Sequence, residues 1–483
     1  MKNPLKYLFI LALSLGVLSC SDVEDLQDDP NRATEVSPEL LLTNIEVSAF
    51  NNVSLSAALA SRHLAYTNGV NQSQYYNWQR SGFENYDNLK QVDKMVEEAI
   101  RTESEVYQIL ATFFDSYFIV SLTEVFGDVP YTEAAKADEG LYAPVYDTQK
   151  SIYLKVLNDL QNASQQLAQN EEGILGDIIY GGDKLKWRKL INSYYLRILM
   201  NLSRKTADPD LNIVARFNEV VNDPDQYPIF TSNEDSGILN FVNTQDNRYP
   251  YFNDNDLQTA YYMEESFVSK LQSLEDPRLF VFAEKKPNSA NAADGDFTAY
   301  GGLYGSGDLN SNTAKAVAGE ASRIDPRYFN DPVNEPSILM SYAELEFILS
   351  EAAARGWTSR SVEEHYKNGI SASMEFYGLN DVGTYLDNPE IQLTGDNEIE
   401  QILTQKHIAM FMNTGWQVFF EQRRTGFPEF NTDGSGILNA GQIPLRWMYP
   451  NNESTNNPEN VTAAIDRQFP NGDNINGVMW LLQ

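Results

Sequence analysis

Apolar residues along much of the chain recur with the spacing of amphipathic α-helices. One such stripe, at intervals of four, four, three and four residues, consists of Ile152, Val156, Leu160, Ala163 and Leu167. Positions with this spacing lie on one face of a helix, which would be buried against neighbouring elements. A second apolar segment extends from Ile109 to Phe126 and is followed by Gly127 and Pro130, a combination that ends helices.

The predicted helices fall into four consecutive pairs. They cover about 89–101 with 105–126, 148–169 with 184–206, 337–356 with 360–377, and 397–412 with 415–424. Helical hairpins of this length are typical of tetratricopeptide-type units, each of which buries one face against the next. No consensus of about 34 residues aligns across the pairs, so the repeat prediction rests on the pairing itself. The predicted fold class is mainly α: a tetratricopeptide-like helical scaffold with an irregular, loop-rich half packed on it.

Three stretches make up this loop-rich half, at about 50–86, 207–336 and 426–483. They are rich in Asn, Asp, Gly, Pro and Tyr, and residues 285–336 show no sustained period of either kind. A long irregular segment in a compact protein is either disordered or functional. The aromatic residues in these stretches argue against plain disorder.

The composition excludes some functions. The formal net charge is −33, and removing residues 1–19 with their two lysines and no acids would make it −35. Such a chain is repelled by nucleic acid and by anionic lipid surfaces, so we expect no nucleic-acid partner. After the N-terminal leader we expect no membrane-spanning helix, so the membrane link would come from a lipid alone.

Cys20 is the single cysteine of the chain, and it follows a leader of secretory type. Lys2 and Lys6 precede an apolar run from Tyr7 to Val17, which is shorter than the roughly 20 residues of a membrane span. The ending Val17-Leu18-Ser19-Cys20 resembles a bacterial lipobox, in which the cysteine is acylated. The alternative is an ordinary signal peptide followed by a chance cysteine. We predict a signal peptide over 1–19 and a lipidated, flexible tether over 20–36.

The acidic residues directly after Cys20 resemble the surface-export signal of Bacteroidetes lipoproteins. They predict a lipid-anchored position on the outer face of the outer membrane. With no cysteine left after the anchor, an intramolecular disulfide is excluded.

Two groups of residues have the chemistry of a sugar site, which needs flat aromatic faces beside amide and guanidinium groups. The candidate ligand-binding residues are Tyr75, Tyr76, Asn77, Trp78, Arg80, Phe297, Tyr300 and Tyr304. The glycines around Tyr304 would let the backbone approach a ligand closely. The alternative is that these aromatic residues fill a small core beneath long loops.

Catalytic and metal-binding patterns are weak. The chain contains His63, His365 and His407; we expect His407 to be a hydrogen-bonded structural residue and His365 to lie on a charged helical face. No HExxH, GxSxG or P-loop motif occurs, and with 68 acidic residues carboxylate pairs arise by chance. No cofactor is expected. The acidic turns at 253–256 and 471–474 offer oxygen ligands for a structural calcium ion, but neither matches an EF-hand loop.

Short motifs in a fixed order resemble those of the SusD/RagB family, in its SusD-like subfamily. They are Asp29-Pro30-Asn31 with 34–42, Val125 to Tyr131, Tyr180 to Lys184 with Trp187 and 190–193, Pro277-Arg278, Tyr342-Ala343-Glu344 with Glu351-Ala352, and Gln405-Lys406 with Phe419-Phe420-Glu421 and Arg423-Arg424. The resemblance covers nearly the whole mature chain, and it implies a single SusD-like domain over 37–483.

The resemblance also implies a function. Its members are non-enzymatic receptors that capture an oligosaccharide, a peptide or another nutrient. Each acts as the lid of a SusC-like TonB-dependent transporter, with the repeat helices towards the transporter and loops supplying the ligand site. The alternatives are a surface hydrolase of glycans or peptides and a purely structural surface lipoprotein.

Overall fold

The computed structural model describes residues 36–483, and this part of the chain is mainly helical, as predicted. Helices α1 to α19 span Pro38–Phe50, Leu55–Ala60, Asn85–Arg101, Glu105–Phe126, Gln149–Gln169, Lys184–Asn201, Ile213–Asn222, Asn255–Thr259, Glu265–Ser273, Leu279–Phe282, Leu309–Val317, Arg327–Asn330, Tyr342–Ala354, Val362–Phe376, Val382–Leu386, Glu398–Ala409, Gln417–Thr425, Glu453–Asn456 and Pro458–Gln468. Strands β1 to β4 span Leu64–Tyr66, Gly237–Leu239, Tyr261–Met263 and Ser337–Met340. The predicted signal peptide and the Cys20 anchor lie outside the described residues.

The scaffold is built from helices that pack on their neighbours in the chain. Helix α3 packs on α4, α4 on α5, α5 on α6, and α13 on α14. The predicted stripe of α5, from Ile152 to Leu167, is buried. Local signals set the ends of these helices, since the Thr148 side chain accepts a hydrogen bond from the Ser151 N–H at the start of α5. Gly127 ends α4 with a φ of 91°, which favours glycine.

The fourth predicted pair is arranged differently. Helix α16 packs mainly on α13 and α14 rather than along α17. The helix predicted from residue 337 begins at Tyr342, because Ser337–Met340 forms β4 and the Ser341 hydroxyl caps the helix by accepting from the Glu344 N–H at 3.0 Å. Strand β4 pairs antiparallel with β2, as β1 does with β3.

Helix α4 is the one described helix whose length and composition would suit a membrane span, which differs from the expectation for the region after the leader. Its most apolar window is 72% buried inside the protein. Burial to this extent is typical of a core helix, whose apolar side chains contact protein on nearly all sides.

Buried ion pairs link helices of the scaffold. They are Arg197–Glu344 between α6 and α13, Arg424–Glu351 between α17 and α13, and Lys406–Glu421 between α16 and α17, with oxygen–nitrogen distances of 2.7, 2.7 and 2.9 Å. Burial alone would raise the pKa of the Glu421 carboxyl, but Arg424 and Lys406 hold this pKa below its ordinary value. Breaking one such buried pair costs about 3–5 kcal/mol, so these contacts fix the helices relative to one another.

The loop-rich half contains short helices and its own core. Helices α7 to α12 lie within 207–336. An aromatic cluster fills the interior of this half, with Phe267 stacked on Phe411 at 5.6 Å and Phe282 on Phe411 at 4.2 Å between ring centroids. Helix α1 packs on α3 and α4, the first helix pair of the scaffold.

Candidate functional site

Two of the predicted binding residues are part of the protein core. The Tyr76 ring is fully buried, lies 4.3 Å from the Arg62 guanidinium, and donates its hydroxyl proton to the Ala60 carbonyl at 2.9 Å. The Trp78 indole is 4% exposed and stacks on Trp447 at 4.7 Å between centroids. Both rings are therefore packed in the protein interior.

The other residues of the first group have mixed environments. Tyr75 is 1% exposed, and its hydroxyl has no hydrogen-bond partner among residues 36–483. Asn77 is half-buried. Arg80 is partly exposed and donates to the Tyr449 carbonyl and to Asp473. The Arg80 guanidinium is therefore already engaged by protein groups.

The second group divides into two parts. Phe297 and the buried Tyr300 pack on Phe280, at 4.6 and 5.5 Å between centroids. Tyr304 is half-buried and donates its hydroxyl proton to Asp433.

One segment, 434–438, joins the two predicted groups. The Gly436 N–H donates to the Ser306 carbonyl at 2.9 Å, and the Leu438 N–H donates to the Tyr75 carbonyl at 3.0 Å. The structure therefore brings Tyr75 near the Tyr304 loop and leaves Phe297 and Tyr300 in another cluster. Ligand binding by the eight residues stays a prediction.

A cavity of about 360 Å³ lies beside the scaffold and is lined by aromatic, amide and hydroxyl side chains. Its aromatic lining residues are Tyr117, Phe118, Tyr194, Trp416 and Phe420. Its uncharged polar lining residues are Ser48, Asn51, Asn52, Ser54, Asn85, Ser121, Thr414 and Gln417. Its charged lining residues are Glu124 and Arg197. We refer to it as the α1–α4–α17 cavity.

The helical repeat of α4 brings one wall together. Tyr117, Ser121 and Glu124 are spaced four and three residues apart, so they lie on one face of the helix. Asn52, just after α1, is held in place by three contacts: its N–H donates to Ser337 at 2.7 Å, its amide donates to the Ala49 carbonyl at 3.1 Å, and its amide oxygen accepts from the Tyr117 hydroxyl at 3.2 Å. The rim is thereby fixed to both α1 and α4.

A constrained turn before α17 forms the opposite wall. Met412 and Gly415 adopt φ values of 61° and 59°, in the left-handed region. A Cβ atom added at Gly415 would lie 2.5 Å from the Asn52 carbonyl oxygen, so only glycine fits. This close approach holds Trp416 at the edge of the cavity. A non-glycine residue in the left-handed region is often found at functional sites.

Trp416 is the residue that connects the cavity to the predicted site. Its half-buried indole packs edge-on against Trp447 at 4.7 Å and against Trp78 at 5.6 Å between centroids. Trp78 therefore lies behind the aromatic wall rather than in it. The sequence pattern placed Trp416 in the predicted helix 415–424. The sequence features that could have indicated the cavity are Gly415, directly before Trp416, and the Asn51-Asn52 pair, directly after α1.

Three polar groups in the cavity lining have hydrogen-bonding capacity that no described residue uses. The Thr414 hydroxyl, on a residue 6% exposed, has no hydrogen-bond partner within the described chain. The Tyr194 hydroxyl, on a residue 2% exposed, likewise has none among residues 36–483. One Glu124 oxygen accepts from the Asn201 amide at 2.7 Å, and the other has no partner in the same range. Of these, the Thr414 hydroxyl is a buried atom without a partner, which is uncommon in folded proteins. All three groups line the cavity and are available to a ligand.

The Glu124 carboxyl has an unusual acidity. Burial raises its pKa to about 7, against the opposing effects of Arg423 and Arg197. Arg197 itself is bound to Glu344 and to the Leu339 carbonyl. A carboxyl with this pKa can either accept or donate a hydrogen bond near neutral pH.

The histidines are structural. The Nε2 atoms of His63 and His407 lie 3.1 and 2.8 Å from the His407 and Ser61 carbonyl oxygens, and burial lowers the pKa of His407 to about 4. His365 is buried beside Glu346, at 2.7 Å, rather than on a charged surface. Asp473, in one of the acidic turns, accepts from Arg80 and Arg446.

Comparison with known proteins identifies the class. The family profile described as starch-binding and associating with the outer membrane, SusD-like, matches residues 30–450. The chain belongs to this SusD-like family of nutrient-binding, outer-membrane-associated proteins, whose members are binding proteins rather than enzymes. No match was found among curated protein sequences.

Solved structures with the same fold support the assignment. The chain is 38% identical to an outer membrane protein from Bacteroides vulgatus ATCC 8482 whose description mentions nutrient binding, with a TM-score of 0.87, covering 93% of this chain and 100% of that one. It is also 38% identical to a SusD homologue from Bacteroides fragilis NCTC 9343, with a TM-score of 0.86 and the same coverage. A chitin-binding protein shares the fold at 24% identity and a TM-score of 0.76, covering 92% of this chain and 100% of that one.

Proposed function

We propose that this protein captures a nutrient, an oligosaccharide or a peptide, and delivers it to a SusC-like TonB-dependent transporter as its lid subunit. The observation that carries the proposal is the α1–α4–α17 cavity, with its aromatic walls, amide rim and three unpartnered polar groups. Aromatic faces and amides bind sugar rings and peptide groups by contact and hydrogen bonding alone. No bond is made or broken in this function.

The proposal includes an anchor at Cys20. An acylated cysteine followed by an acidic tether would hold the protein on the outer face of the outer membrane. The tether leads to α1, whose C-terminal end contributes Ser48 and Asn51 to the cavity lining. Replacing Cys20 by Ser should abolish incorporation of a labelled fatty acid and release the protein from membranes. Ser21→Ala should change neither, and a Cys20→Ser protein that stays membrane-bound would contradict the anchor.

Calorimetry tests the binding role. The full-length chain in mild detergent is titrated with neutral oligosaccharides and short peptides, and products are analysed afterwards. We expect saturable heat with no product for at least one ligand, and product formation would favour the hydrolase alternative. Trp416→Ala should weaken binding about tenfold or more. Tyr142→Ala, which removes an exposed aromatic ring away from the cavity, should leave the affinity unchanged.

Affinity purification tests the partner. A tagged chain extracted from outer membranes in mild detergent should bring down a protein that mass spectrometry identifies as a TonB-dependent transporter. Recovery of the tagged chain alone under these conditions would count against the lid role.

A further inference from the structure

We infer that the ligand of the α1–α4–α17 cavity carries a protonated amine, and that Glu124 is the residue that recognises it. This inference rests on the proposed nutrient-binding role of the cavity and specifies its ligand class. The amine could belong to an amino sugar or to the N-terminus of a peptide, which present the same ammonium group.

Glu124 is a buried carboxyl with an incomplete set of partners. Its side chain lines the cavity, the residue is 5% exposed, and it accepts one hydrogen bond, from Asn201. It forms no ion pair within 4 Å in residues 36–483. Removing a carboxylate from water is costly unless a cation compensates it. An ammonium group in the cavity would supply both the charge and the missing donor.

Of the charged groups that face Glu124 from the neighbouring helices, Arg197 and Glu421 are bound in ion pairs, while Arg423 has no carboxylate partner among residues 36–483 and partly compensates the charge of Glu124. From α6, Arg197 binds Glu344 through two nitrogens. From α17, the Arg423 guanidinium lies 4.3 Å from the Phe420 ring centre and donates to the Leu445 carbonyl at 2.9 Å, while Glu421 is bound by Lys406. Arg423 is outside the cavity lining. The cavity therefore presents Glu124 as its one carboxyl not bound by a basic side chain.

The ionisation of Glu124 suits an ammonium ligand. Burial places its pKa at about 7, and Arg423 and Arg197 offset only part of the effect of burial. A cation within a few ångströms favours the charged form of a carboxyl. Binding of an amine would therefore complete the ionisation of Glu124.

The aromatic walls agree with the same ligand. Tyr117, Tyr194 and Trp416 line the cavity, and the negative faces of aromatic rings attract cations. The lining contains no lysine, and its one arginine is neutralised by Glu344. A cationic group meets no uncompensated positive charge there.

Matched probes test the inference. The full-length chain is titrated by calorimetry with glucosamine oligomers and with N-acetylglucosamine oligomers of the same length, and with a dipeptide and its N-acetylated form. Within at least one pair, we expect the free amine to bind about tenfold more tightly than the acetylated form. Glu124→Gln should erase this preference, and Glu234→Gln, at an exposed position, should keep it.

A pH series adds a second readout. From about pH 5.5 to about pH 7, below the pKa of a typical α-amino group, the affinity for the amine should rise as Glu124 loses its proton. The same series should be flat for Glu124→Gln, and a cooperative thermal unfolding transition of this variant is the control for its folding.

The outcomes separate the inference from the function on which it rests. The amine inference is overturned if the amine and acetylated forms bind equally, or if none of the four probes binds. The nutrient-binding proposal is then decided by the titrations with neutral ligands. A ligand whose affinity is unaffected by Trp416→Ala instead argues against the cavity as the site, and overturns both.

Discussion

Two regions of this molecule contain similar side chains and use them in opposite ways. In the loop segment around Tyr76 and Trp78, aromatic rings are covered and their polar atoms are satisfied by the Ala60 and Arg446 carbonyls. In the α1–α4–α17 cavity, aromatic and amide groups surround about 360 Å³ of space, and the Tyr194 hydroxyl has no partner in residues 36–483. Both regions would serve a sugar site by composition. The Tyr75 hydroxyl of the packed segment also lacks a partner among residues 36–483, so what distinguishes the cavity is the open space beside its aromatic and polar groups.

The largest expected effect is at Trp78. Trp78→Ala removes a buried ring that stacks on Trp447, and should lower the free energy of unfolding by about 3–5 kcal/mol. Urea denaturation followed by circular dichroism measures it. Gln79→Ala, at the adjacent exposed position, should change stability by less than about 0.5 kcal/mol. A loss at Trp78 as small as the one at Gln79 would show that this region is not a packed core.

The pH dependence of stability probes Glu124. Its pKa is about 7 in the folded protein and about 4.3 in an unfolded chain. The folded state therefore holds this proton more tightly, so the resulting stabilisation is complete below about pH 4 and is lost as the pH rises through about 7. Between these values, wild type should lose up to about 3 kcal/mol relative to Glu124→Gln.

Denaturation at several pH values measures this difference. Other buried acids, such as Glu335 with a pKa raised by burial to about 7, titrate in both proteins and cancel. A constant difference between wild type and Glu124→Gln across the range would contradict the burial of this carboxyl.

The contribution of the turn before α17 can be tested with two glycines. Gly378→Ala, with a φ of 73° and no atom near the added Cβ, should cost about 1–2 kcal/mol from backbone strain alone. Gly415→Ala has a similar φ and also contacts the Asn52 carbonyl. It should therefore cost more and weaken ligand binding. Chemical denaturation measures the loss of stability in both variants. Equal losses would show that the contact with the Asn52 carbonyl has no effect on stability.

The smallest effect concerns two hydroxyl groups. Tyr76→Phe leaves the buried Ala60 carbonyl without its donor and should cost about 1–2 kcal/mol without changing affinity. Tyr194→Phe removes a hydroxyl that bonds to no described residue, so stability should be unchanged while affinity for a bound ligand falls. Denaturation and calorimetry measure both variants. If Tyr76→Phe lowered the affinity and Tyr194→Phe lowered the stability instead, the packed segment and the cavity would have the opposite roles.

The elements that the sequence predicted well are those with local signals. The α5 stripe from Ile152 to Leu167 and the stop at Gly127 depend on residues within a few turns of one another. Strand β4 was missed because its partner, Gly237–Leu239, is distant in the chain. The α1–α4–α17 cavity was not predicted for the same reason, since Asn52 and Gly415 meet only in the folded protein.

The burial of Trp78 shows the corresponding limit for site prediction. Its sequence neighbours Asn77 and Gln79 are polar and suggest a surface, but Trp447 and Trp416 cover the ring from distant parts of the chain. Local composition indicates residue types that suit a ligand site, and tertiary packing decides which of them remain accessible.

The ion pairs between scaffold helices have a consequence for how the chain folds. Arg197 and Glu344 are separated by 147 positions, and Lys406 and Arg424 arrive later still during synthesis. Until Glu344 has been synthesised, α6 carries Arg197 without its counter-charge, on a surface that is buried in the folded protein. Contacts this far apart slow folding, since the entropy of closing a long loop is lost before the contact forms. A chain synthesised from its N-terminus should therefore pass through a partly folded intermediate in which helices α3 to α6 form before the C-terminal third is available to pack on them.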